Sequence, residues 1–88
     1  MIRRHLVVHG RVQGVGFRYT CEEVAARLGV SGWVRNRPDG TVEIVVEGEP
    51  DAVGKLVEWA DRGPRLADVA RVEASDEEPE GLRGFRTR

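Results

Sequence analysis

The chain holds a single cysteine, Cys21, among its 88 residues. One cysteine makes neither an internal disulfide nor a thiolate metal cluster. Lysine is equally scarce: Lys55 stands alone against thirteen arginines, a bias that genomic base composition explains without any functional role. Apolar runs never exceed four residues, which excludes a membrane-spanning helix. No basic stretch followed by an apolar one opens the chain, so no secretory leader is expected and the expected location is the cytoplasm. The absence of Cys-x-x-Cys removes a metal-chaperone reading.

At 40% hydrophobic and 33% charged, the composition is that of a soluble, globular chain. A chain this short buries only about 60% of its unfolded surface, so a single domain over residues 1–88 with a thin core is expected. The net charge of −1 is uneven. Residues 1–44 carry seven basic and four acidic groups, and residues 45–88 carry seven and eleven. A balance of +3 around Arg11, Arg18, Arg35 and Arg37 suits a small anion. It falls short of the strongly basic face that nucleic acid demands.

Hydrophobic patterning predicts β-α-β-β-α-β. The first strand covers His5 to His9, with Leu6 and Val8 on one face and His5, Val7 and His9 on the other. A helix from about Phe17 to Leu28 puts Cys21, Val24, Ala25 and Leu28 on one side, and Gly29 suits its C-terminal cap. Val30 to Arg37 and Thr41 to Glu47 form a hairpin through Pro38-Asp39-Gly40, where proline presets φ and glycine accepts φ > 0. In the third strand Val42, Ile44 and Val46 share a face. Thr41, Glu43, Val45 and Glu47 are expected to meet water mostly, as in a sheet covered on one side. Pro50 opens a second helix up to Asp61, which Gly63-Pro64 ends. Ala67 to Ala74 is a fourth strand, Asp76 to Glu80 a solvated acidic loop, and Gly84 to Thr87 a short last segment. The fold class is α+β: a ferredoxin-like split βαβ sandwich, with two helices on one face of a four- to five-stranded antiparallel sheet ordered 4-1-3-2.

The segment Gly10-Arg11-Val12-Gln13-Gly14-Val15-Gly16-Phe17-Arg18 joins a central strand to a helix. Its glycines let successive N–H groups turn inward against the positive end of a helix dipole, a cradle for an oxyanion. Arg18, in the first helical turn, adds a planar two-pronged donor. A Walker-A loop is absent, and the dinucleotide fingerprint fails because Tyr19 stands where its last glycine belongs. From spacing alone, a tight βα turn with no ligand explains the glycines equally well.

The same string resembles the signature of the acylphosphatase family, and Gly32-Trp33-Val34-Arg35-Asn36-Arg37-Pro38-Asp39-Gly40-Thr41-Val42-Glu43 resembles that family's second signature. Pro50 to Ala60 and residues 63–69 agree in order and spacing, so the resemblance covers nearly the whole chain. It implies a hydrolase that cleaves the carboxyl–phosphate bond of acyl phosphates with no metal and no cofactor. It further implies that the backbone N–H groups of Arg11, Val12, Gln13, Gly14, Val15, Gly16 and Phe17 bind the substrate phosphate. Arg18 binds it too, and Asn36 positions the attacking water. A phosphate oxygen of the substrate then takes the proton. The partners expected are a small-molecule acyl phosphate and inorganic phosphate as product and competitive inhibitor, with no nucleic acid and no membrane, and the chain is expected to be a monomer.

Other candidates have simpler explanations. His5 and His9 share a strand face, but two ligands make no metal site. Cys21 lacks a visible partner and suits a small buried apolar role. Arg35 and Arg37 are expected on the face opposite Asn36, in solvent. Trp33 and Trp59 are expected to pack. Two competing classes remain at this level: a non-catalytic phosphate-binding or acyl-carrier-type module using the same loop, and an RNA-binding ferredoxin-like domain. The second needs stacking aromatics in the central strands, and residues 5–9 and 41–47 contain none.

Overall fold

The computed structural model describes residues 1–88 as a five-stranded sheet with two helices packed on one face. The elements are β1 (Ile2–Arg11), α1 (Phe17–Leu28), β2 (Ser31–Asn36), β3 (Val42–Gly48), α2 (Pro50–Arg62), β4 (Asp68–Glu77) and β5 (Phe85–Thr87). The strand order is β4-β1-β3-β2-β5. The first four strands pair antiparallel in the expected ferredoxin-like order. The fifth departs from the expected antiparallel sheet. β5 runs parallel to β2, with Gly32 opposite Phe85 and Val34 opposite Thr87, so the sheet is mixed. The chain leaves β4 at the far edge and crosses the sheet before reaching β2, and that crossing sets the direction.

Side chains explain the layers. α1 buries Phe17, Cys21 and Ala25, four residues apart, and ends on Gly29 in the left-handed conformation. α2 starts with Pro50 at its first position and buries Val53, Leu56 and Ala60. These close on Leu6 and Val8 of β1, Val34 of β2, and Val42, Ile44 and Val46 of β3, forming one core. Phe17 and Trp59 lock the two helices together, their rings tilted by 53° with centroids 5.0 Å apart. Each fully buried Leu or Phe contributes about 1.5–3 kcal/mol from removal of apolar surface. No helix is long and apolar enough to cross a membrane.

The other sheet face differs from the expectation. Thr41, Val45 and Glu47 are buried, and Glu47 retains only 1% of its surface. Over Glu47 the chain after β4 folds back on this face instead of extending into solvent, while Thr41 is held in the β2–β3 turn by Asp39 and Gln13. Glu47 accepts hydrogen bonds from the backbone N–H groups of Glu80, Gly81 and Leu82 at 2.7, 3.0 and 3.0 Å. Arg3, 9% exposed, donates to Glu47 at 2.9 Å and to Glu77 at 2.8 Å. Asp76 and Glu77 therefore belong to β4 rather than to a free acidic loop. Arg35 also has a partner, Glu43 at 2.5 Å, and the same carboxylate bonds the His5 ring at 2.6 Å. His9 bonds Glu73 at 2.8 Å.

Candidate active site

The β1–α1 loop is anchored at both ends and in its middle. Val12 and Phe17 are core residues, and Val15 packs partly against the same cluster. Between them Gly14 (φ 72°) and Gly16 (φ 79°) adopt left-handed backbone, while Val15 does not. Alternating hand is the geometry that turns consecutive N–H groups toward one point. A Cβ at Gly14 or Gly16 would meet nothing within 4 Å, so backbone conformation, not space, demands glycine here. No N–H group of residues 12–16 donates to a main-chain carbonyl, and the first helical bond runs from Thr20 N–H to the Gly16 carbonyl at 3.1 Å. The N–H groups of the first turn of α1 add to these free donors. That turn contains no acidic residue. The positive end of the helix dipole therefore acts on the loop unopposed.

A cavity of about 320 Å³ opens over this loop, lined by Val12, Gly14, Gly16, Phe17, Arg18, Tyr19, Glu22, Asn36 and Thr87. Arg18 is exposed, and no ion pair of the protein includes it. Asn36 reaches the cavity from the end of β2, opposite Val42. The sheet thus brings together two polar side chains separated by a helix and a strand in sequence.

Not every candidate contributes a side chain to the wall. Arg11 closes β1 opposite Asp68, and Val15 faces the core. Gln13 turns toward the β2–β3 hairpin, where its Nε2 donates to the Arg37 carbonyl at 2.8 Å and the Thr41 carbonyl at 2.9 Å. This ties the glycine loop to the turn that follows Asn36. The turn is itself braced, since Asp39 Oδ1 accepts from the Thr41 N–H at 3.0 Å and its hydroxyl at 2.6 Å. Those two bonds hold the Asp39 carboxyl below its ordinary value. Cys21 is sealed beneath the site. Burial, with Glu22 adding to it, pushes its thiol up, so it offers no thiolate nucleophile.

Three wall residues were not expected: Tyr19, Glu22 and Thr87. Tyr19 projects beside Arg18 with 70% of its surface exposed. Glu22 lies one helical turn beyond Arg18, a spacing that places both on one face of α1. Thr87 had no such signal, because only the parallel pairing of β5 brings it there.

The class defined so far is a ferredoxin-like sandwich whose first βα turn is a glycine loop with free N–H groups, with an arginine and an asparagine lining the same cavity. Comparison with known proteins narrows this. The acylphosphatase family model matches residues 4–87, and this chain belongs to that family. An acylphosphatase of Thermococcus kodakarensis is 60% identical over 97% of this chain and 93% of its own. One from Trichormus variabilis is 54% identical over all of this chain and 87% of its own. The crystal structure of acylphosphatase from Bacillus subtilis superposes with a TM-score of 0.97 at 37% identity, covering 100% of this chain and 99% of that one.

Proposed function

We propose that this chain hydrolyses acyl phosphates to a carboxylate and inorganic phosphate, with Arg18 and the loop N–H groups of residues 11–17 holding the phosphoryl group and Asn36 placing the water. The observation that carries the reading is the convergence of Gly14, Gly16, Arg18 and Asn36 on one cavity. An acyl phosphate is already activated by its carboxylate leaving group. The protein therefore needs no covalent nucleophile, only charge stabilisation and a placed water. The water oxygen bonds to phosphorus as the bridging P–O bond breaks and its electron pair leaves with the carboxylate. The water proton passes to a phosphate oxygen. Asn36 is suited to orientation, because its amide donates and accepts at fixed angles and has no protein partner competing for it. Family membership supports a reaction without a metal.

The same reading takes residues 1–88 as one functional unit, a cytoplasmic monomer inhibited competitively by inorganic phosphate. The test is benzoyl phosphate hydrolysis by purified protein, with and without EDTA, beside Asn36→Ala. Turnover that EDTA leaves intact is expected. The variant should fold normally and lose about 100-fold in kcat with little change in KM, because a misplaced reactant costs that much. Phosphate binding without turnover in the unmodified chain would replace the hydrolase with a binding module. Equal losses in kcat and phosphate affinity would make Asn36 a binding residue.

A further inference from the structure

The cavity contains an arginine and a glutamate on one helix face that do not pair. Arg18 and Glu22 stand four residues apart on α1, the spacing at which oppositely charged side chains meet, and both line the site. Instead, Thr87 Oγ1 donates to Glu22 Oε2 at 2.6 Å. Thr87 comes from β5, whose parallel pairing with β2 carries the C-terminal ends of both strands to the same cavity, Asn36 on one and Thr87 on the other. The strand is fixed by the Gly32 N–H to the Gly84 carbonyl at 2.9 Å and by the Arg88 N–H to the Val34 carbonyl at 2.8 Å.

We infer that Thr87 is a positioning residue: it holds the Glu22 carboxylate aside, so that the Arg18 guanidinium stays free for the phosphoryl group. The inference rests on the hydrolase reading for the role of Arg18. Without the hydroxyl bond, Glu22 can rotate toward Arg18 and compete with the substrate for the donors that a phosphate uses bidentately. The competition is modest, because an exposed ion pair is weak. An effect of about threefold to fivefold on phosphate affinity is the scale it sets.

The experiment is a double-mutant cycle, read as the inhibition constant of inorganic phosphate and as KM and kcat for benzoyl phosphate. Thr87→Val keeps the β-branched shape and removes the hydroxyl. It should weaken phosphate binding and raise KM by about threefold to fivefold, with kcat much less affected. Thr87→Ser keeps the hydroxyl and should bind phosphate as the unmodified chain does. In a Glu22→Gln background the Thr87→Val change should have no effect, because an amide does not compete for Arg18 as an anion does. Equal losses in both backgrounds would show that Thr87 only supports β5, and would overturn the inference. So would a Thr87→Val protein that binds phosphate as tightly as the parent. If the parent neither turns over benzoyl phosphate nor binds phosphate, the hydrolase reading fails, and the positioning role fails with it. A parent that is active beside an unaltered Thr87→Val fails the inference alone.

Discussion

At the scale of single residues, the proposed reaction turns on Arg18, a guanidinium that no ion pair of the protein includes. On the sheet face away from the helices, Arg3 bonds Glu47 and Glu77, and Arg35 bonds Glu43. Arg18 has no such partner, although Glu22 is within reach along the helix. A planar fork aimed at a tetrahedral anion delivers two parallel bonds, and an ammonium on a flexible stem delivers one. Arg18→Lys preserves charge, helix propensity and exposure, so it isolates that geometry. It should reduce kcat/KM for benzoyl phosphate by about 100-fold, the scale of losing one oriented donor from a charge-stabilising site. Thermal stability should stay within about 0.5 kcal/mol of the parent, since the side chain is exposed. Turnover equal to the parent would remove Arg18 from the reaction.

At the scale of elements, the parts that the sequence disclosed are those governed by local rules. β1 splits its faces at Leu6 and Val8 as alternation dictates, and α1 ends at Gly29 because only a left-handed residue closes that helix. The glycine loop and Asn36 were legible as long motifs. What stayed hidden depends on pairings across the chain. Glu47 alternates like a solvent-facing residue, and nothing in its neighbourhood announces that residues 80–82 will cap it. Thr87 reaches the site only because β5 adds to β2 rather than beside β4. Glu47 therefore acts as the element that fastens the chain between β4 and β5. Glu47→Gln loses the anion that receives three N–H bonds and leaves Arg3 buried with less countercharge. A loss of about 2–3 kcal/mol in unfolding free energy is expected by urea titration. Amide exchange should rise first at Glu80 to Leu82. A variant as stable as the parent would mean that this segment is held by other contacts.

Across the whole molecule, the carboxylates that tie strands together make folding depend on pH in one direction. Burial raises the Glu47 carboxyl, but the N–H bonds from Glu80, Leu82 and Gly81 and the bond from Arg3 outweigh it and hold the group below its ordinary value near 4.5. Burial likewise raises Glu43, while the bonds from His5 and Arg35 bring it below. A carboxyl depressed in the folded state takes up its proton in the unfolded state first as pH falls. Its contribution is complete above the unfolded value and is lost as pH drops through the folded one. The urea midpoint of the parent should therefore stay nearly level from pH 7 to about 5 and decline steadily below about 4.5. In Glu47→Gln one of these linked protons is gone, so the decline should be shallower, from a lower starting point. Titration at 25 °C across this range in both proteins separates the alternatives. A midpoint unchanged between pH 5 and 3 would mean that these carboxylates gain nothing from their bonds on folding. An equal slope in both proteins would locate the acid sensitivity away from the Arg3–Glu47 cluster, at Glu43 on the same sheet face or at the surface carboxylates.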